Sequence, residues 1–244
     1  MTRARPKGRS VRTPSKPGNQ LLAALAAGDL AELTPDLERV ELPVRRQLEL
    51  RGRAIEYVYF LDSGLASIVA SAGANHSIEI AIVGKEGMTG LAVLLGMDSP
   101  VHETFIQSAG RGWRITPEKL NAAMERSSSL HRSLLRYVHT FVAQMAFTSL
   151  ANGRYKIEER LSRWLLMAHD RAEGDTIYLT HEFLALMLGA RRASVTNALS
   201  NFQKAGVLRV ARGHITIRNR GALEEAANGS YGIPEAEYHR LFAG

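Results

Sequence analysis

The chain reads as an α+β protein, with short antiparallel strands first, helices after them, and a small helix–helix–hairpin unit near the C-terminus. Three observations predict this. Between Leu37 and Ile115, short β-type runs recur, separated by glycine-containing turns. From Leu130 to Asn152 there is neither glycine nor proline, and apolar residues recur at spacings of three and four. From Thr180 to Arg218, two short amphipathic helices punctuated by glycine precede two β-type runs around Arg212-Gly213.

The bulk properties bound what such a chain can do. At 244 residues, 45% of them hydrophobic, it is long enough for two modest domains with a buried core. It has no cysteine, which excludes disulfides, thiolate zinc sites, cysteine-ligated clusters and a cysteine nucleophile. That composition fits a reducing cytoplasm. No apolar run reaches the length of a membrane span, and no apolar segment follows the basic N-terminus as in a secretory signal. A cytoplasmic protein without a membrane partner is expected. The net charge of +7 is unevenly placed. Arg3, Arg5, Lys7, Arg9, Arg12 and Lys16 precede the first acid, Asp29, and a second basic concentration lies between Arg191 and Arg220. Two separated basic regions point to a polyanion partner.

Residues 1–18 are too polar to offset their ordering entropy and are expected to be a disordered basic tail. Leu21, Leu22 and Leu25 predict a short helix over 20–27, ended by Gly28. Strands are expected at 40–42, 47–50, 57–61, 66–70, 77–83, 103–107 and 113–115. Many short strands with turns such as Asp62-Ser63-Gly64 argue for a barrel or jelly roll. The run from His76 to Ile82 alternates as a strand with one buried face should. Thr116 and Pro117 then suit the start of a helix, Thr116 as its cap.

Along the uninterrupted stretch 130–152, Leu130, Leu134, Val138, Phe141 and Met145 form one apolar stripe. A long amphipathic helix between domains commonly pairs with its copy, so these five residues are expected at a homodimer contact, with Gly153 ending the helix. Ile157, Leu161, Trp164 and Leu165 predict another helix, followed by a polar turn from Asp170 to Thr176.

The most informative segment follows. Thr180 can cap a helix whose inner face is Phe183, Leu184, Met187 and Leu188, and Gly189 supplies the left-handed residue that ends it. The next helix starts near Arg191 or Arg192, buries Val195, Leu199 and Phe202, and stops at Gly206. Its other face carries Arg192, Ser194, Asn197, Ser200, Asn201 and Lys204. A basic hairpin with Arg209, Arg212 and His214 completes the unit. This is the layout of a winged helix-turn-helix. Arginine can bond guanine bidentately in the major groove and asparagine can bond adenine. Serine, lysine and the hairpin cations suit phosphates and base edges. Thr180 and Arg191, at the two helix starts, join the expected contacts to double-stranded DNA.

The residues also resemble the cyclic-AMP receptor/FNR (Crp/Fnr) superfamily of bacterial regulators over about residues 20–228. Residues 179–189 are similar to the first motif helix of that family, 191–199 to its recognition helix, and 57–64 to a strand and turn of its sensor barrel. The resemblance implies a cyclic-nucleotide-binding-like jelly roll over 19–128, a dimerisation helix over 129–153, a winged helix-turn-helix over 154–228, and a C-terminal tail over 229–244. It implies a transcription regulator acting as a homodimer on two-fold symmetric sites, with RNA polymerase a candidate further partner. Nucleotide-binding members carry a phosphate cassette of Gly-Glu followed by an Arg. Here Gly90 is followed by Leu91, and no Arg occurs between Arg53 and Arg111, the matching later stretch being Val101-His102-Glu103-Thr104. A buried cyclic phosphate would lack its cation. The effector is expected not to be a cyclic nucleotide, and no cofactor or metal is expected.

Catalytic patterns are wanting. The glycines at 84, 87 and 90 are not followed by Lys-Ser/Thr, so they make no P-loop, and no Gly-x-Ser-x-Gly elbow occurs. His76, His102 and Glu103 are better read as surface polar residues than as metal ligands. An enzyme is not expected. The competing possibility is a small-molecule-binding barrel whose C-terminal module mediates protein contacts.

Overall fold

The computed structural model describes residues 17–73 and 76–242. The basic tail, up to residue 16, and the centre of the turn at 74–75 lie outside the described residues. Two antiparallel sheets build the N-terminal half. One has the order β1 (Glu38–Leu42), β7 (Gly110–Ile115), β3 (Val58–Leu61), and the other β2 (Gln47–Glu49), β6 (Glu103–Ser108), β4 (Leu65–Ser71), β5 (Ser77–Val83). Leu42, Phe60, Ile68, Ile106 and Ile115 are buried in the core they share with the flanking helices. At the turn after β3, Gly64 has φ +87°, and a Cβ there would stand 2.7 Å from the Ser108 carbonyl oxygen. Only glycine permits that close approach.

The N-terminal helix ends earlier than the spacing predicts. α1 spans Gln20–Ala23, and Gly28 lies inside a second helix, α2 (Ala27–Leu33), rather than ending the first. Asn19 caps α1, its side chain accepting from the Leu22 amide and donating to Leu61 O and Gly87 O, so the helix start is tied to the barrel. After the short α3 (Leu91–Leu94), α4 (Pro117–Arg126) begins as expected, although Thr116 makes no side-chain cap bond.

α5 (Ser128–Arg154) is capped by Ser127 and runs through Gly153. At 27 residues it is about 40 Å long. Its inner face packs on the barrel through Leu130, Leu134, Tyr137 and Phe141.

The C-terminal module contains α6 (Ile157–Arg171), α7 (His181–Met187), α8 (Arg192–Lys204) and α9 (Arg220–Ala226), with a sheet of order β8 (Thr176–Tyr178), β10 (His214–Ile217), β9 (Leu208–Ala211). β8 was not legible: it starts inside the polar turn and pairs with the wing, Tyr178 opposite His214. Residues 229–244 carry more than a tail. α10 (Ile233–Phe242) lies against α5, with Tyr238 and Phe242 on the main core and His139 bonded to Glu237 at 2.9 Å.

The strand at 77–83 does not have one wet face. Glu79, Ala81 and Ile82 are all buried, because α6 and α7 cover the side of β5 turned away from the barrel interior. Leu65, Val69 and Ile82 share one apolar cluster with Trp164, Leu184 and Leu199, so the barrel and the C-terminal module are packed on each other.

Candidate DNA-binding interface

Local sequence explains the motif geometry. The Thr180 hydroxyl accepts from the Phe183 amide at 3.2 Å and starts α7. Gly189 then reverses the chain with φ +54°, a conformation that strains other residues. α8 follows at once, with Arg191 in the cap position. Val195, Ala198 and Leu199 are buried, which turns positions 192, 197, 200, 201 and 204 outward. Arg192, Asn197, Ser200, Asn201 and Lys204 are exposed, and Ser194 is half-buried at the edge of the same face. The hairpin β9–β10 turns at Gly213, φ +78°, so Arg212 stands exposed at the tip. Arg209 is exposed and His214 half-buried beside it.

Exposed cations are concentrated on this face. Elsewhere, some arginines pair with carboxylates, Arg114 with Glu38, Arg126 with Glu32, Arg171 with Glu86, Arg220 with Asp170 and Glu224, and Arg240 with Glu237, while others, such as Arg45, Arg51, Arg53 and Arg111, form no salt bridge among the described residues. Among the described residues, Arg191, Arg192, Lys204, Arg209, Arg212 and Arg218 form no salt bridge with a carboxylate. Unpaired, solvated cations on one module are what a phosphate backbone requires.

Two side chains at this face escape a reading of the sequence. The exposed Thr196 bonds the His181 ring at 3.2 Å, linking α8 to the start of α7. Tyr178 is 71% exposed beside the wing, its ring 6.0 Å from that of His214. Only the strand pairing of β8 brings Tyr178 there. Thr180 itself is exposed, but its oxygen already serves the cap.

Burial divides the residues of the expected dimer stripe. Leu130 and Leu134 are 0% exposed and Phe141 4%, all three packed into the core of the chain itself. Val138 and Met145 are half-buried. The apolar residues that α5 turns outward include Leu135, 39% exposed, and Val142, 50% exposed. Leu135, Val138, Val142 and Met145 alternate spacings of three and four, the period of a coiled-coil seam. Of the five expected residues, Leu130, Leu134 and Phe141 thus belong to the core face, and Val138 and Met145 border this outer one.

In the barrel, the two halves of the cassette-like segment are joined by a side chain. Glu49 is buried; Gly90 N donates to its Oε1 at 2.7 Å, and the Thr104 hydroxyl bonds its Oε2. His102 Nε2 lies 3.7 Å from the same oxygen. Leu91 is buried against the core. Among the described residues, no group of three or more His, Cys, Asp or Glu could hold a metal, and no helix is long and apolar enough to cross a membrane.

Residues 159–226 match the model of the family described as the Crp-like helix-turn-helix domain. No curated protein matches the chain by sequence. Several solved structures share the fold. FixK2 from Bradyrhizobium japonicum has a TM-score of 0.68 at 18% identity, over 78% of this chain and 96% of its own. A transcriptional regulator of the Crp/Fnr family from Eubacterium rectale gives 0.66 at 19% identity, over 86% and 98%. The CRP-family regulator TTHB099 from Thermus thermophilus gives 0.64 at 18%, over 79% and 97%. The chain thus carries a Crp-like helix-turn-helix domain at residues 159–226, on the fold of the Crp/Fnr regulators.

Proposed function

We propose that the chain is a sequence-specific transcription regulator of the Crp/Fnr type, acting without catalysis as a homodimer on a two-fold symmetric operator. The observation that carries this is the unpaired basic face of α8 and the wing. Arg192 opens α8 and Asn197 lies on the exposed face of its N-terminal half, the half that enters the major groove first in this motif, and both are placed to read bases. Arg191, Lys204, Arg209 and Arg212 hold phosphates. The partner copy meets α5 along Leu135, Val138, Val142 and Met145. The effector is unknown, and the barrel is not built for a cyclic nucleotide: Glu49 already takes the Gly90 amide, and no Arg occurs between Arg53 and Arg111. Mapping bound sites in the native cell tests the proposal. A recurring inverted repeat supports it, and binding without any enriched sequence contradicts it.

A further inference from the structure

Glu79 is a buried acid at the junction of four elements. It sits on β5, is 5% exposed, and faces α6 and α7 rather than the barrel interior. Trp164 Nε1 of α6 donates to its Oε1. The hydroxyl of Ser67, on β4, bonds its Oε2. The same hydroxyl lies 3.2 Å from the sulfur of Met187, in the first helix of the DNA-binding motif. The surrounding contacts extend the junction: Ile78 packs under Gly189, and Phe105 meets Phe183 edge-on at 6.1 Å.

A serine hydroxyl has one proton to give. With Glu79 protonated, its own O–H donates to Ser67, and the Ser67 proton is free to reach Met187. Trp164 serves the other carboxyl oxygen, so every donor in the chain has an acceptor. With Glu79 ionised, the Ser67 proton must turn to the carboxylate. Met187 then loses its donor, and a negative charge is left in an apolar junction, which is the larger cost.

We propose that Glu79 is a protonation-dependent latch that holds the helix-turn-helix on the barrel and so fixes the angle of α8. The charges facing it are few. Arg160 and Arg163 of α6 line a cavity of about 30 Å³ beside it, with Thr148 and Asn152 of α5. Arg160 Nη2 donates to Leu188 O while its buried Nε has no partner among the described residues, and Arg163 donates to Ser230 O, Gln144 O and the Thr148 hydroxyl. Arg171, whose charge also reaches Glu79, is tied to Glu86. β4 and α7 bring it neutral side chains, Ser67 and Met187.

Burial pushes the Glu79 carboxyl up to about 8 from an ordinary 4.5, against the opposing bonds from Ser67 and Trp164 and the charge of Arg171. The docked state therefore keeps a proton that a released, hydrated Glu79 gives up. Docking is strongest below the ordinary value and weakens as pH rises through the folded one, by up to about tenfold per pH unit between them.

The test uses the full chain without DNA, so its failure is separable from failure of the regulatory function. Hydrogen exchange of α7, corrected for intrinsic rates, is followed from about pH 6 to 9 in wild type and Glu79→Gln. The Gln amide donates to Ser67 and accepts from Trp164, imitating the protonated acid. The expected result is α7 protection falling about tenfold or more in wild type and staying level in Glu79→Gln. Level protection in wild type, or an equal fall in both, overturns the latch. Should the variant not fold, the carboxyl ¹³C titration of Glu79 in wild type decides. A midpoint well above the ordinary carboxylate range supports the latch, and an ordinary midpoint overturns it.

Discussion

The amide of Gly90 donates to the carboxyl of Glu49 across 41 residues of sequence, at 2.7 Å and out of reach of solvent. On the proposed reading, that amide is already taken and is not offered to a phosphate. Calorimetry with cyclic AMP and cyclic GMP should show no specific heat at micromolar protein. A one-to-one complex per protomer would contradict this.

The same contact holds the barrel together. Glu49→Ala strips the buried Gly90 amide and the Thr104 hydroxyl of their acceptor, which costs about 1–3 kcal/mol per orphaned group. Urea unfolding should show a loss of at least that size. A change within about 0.5 kcal/mol, as for a surface substitution, would show that the bond is not made in solution.

The two faces of α5 make opposite predictions. Leu134→Ala empties a site with no solvent exposure and should destabilise the protomer by about 2–5 kcal/mol. Val142→Lys should leave the circular dichroism unchanged and shift the protein to monomer in sedimentation, since the seam would carry unpaired charges at its centre. A Val142→Lys protein that stays dimeric places the contact elsewhere.

Arg171 and Glu86 join the end of α6 to the β5–α3 turn at 2.7 Å, both largely buried. Glu86→Gln leaves the guanidinium short of its counter-charge and should cost about 3 kcal/mol, the low end for a broken buried pair because Glu235 also faces Arg171. An unaltered denaturation midpoint would show that the pair contributes nothing to docking of the C-terminal module.

What was legible in the sequence follows from the range of the forces involved. Period and punctuation are local, so the seven barrel strands, α7, α8 and the wing could all be placed from residues a few positions apart. The stop at Gly189 and the exposed face of α8 needed nothing more. Burial on a second side is not local. Glu79 reads as the wet position of an alternating strand, and only α6 and α7, some 85 to 110 residues later, make it a buried acid. Leu134 and Leu135 are neighbours that differ in the direction α5 turns them, and the barrel that decides between them lies outside the helix. α10 has weak amphipathicity and covers α5 through Tyr238 and Phe242, a contact no local pattern announces.

Binding to a cognate and a scrambled duplex across a salt series tests the central claim most directly. Arg192→Ala and Asn197→Ala should each lose about 1–3 kcal/mol at the cognate site and little on random DNA, relaxing preference at one symmetric pair of bases. Arg212→Ala, at the wing tip, should weaken both duplexes about equally and lower the salt slope by about one for each phosphate the side chain no longer neutralises. If the Arg192 and Asn197 variants leave the cognate-to-random ratio unchanged, α8 does not read sequence and the account of this protein as a specific regulator is contradicted.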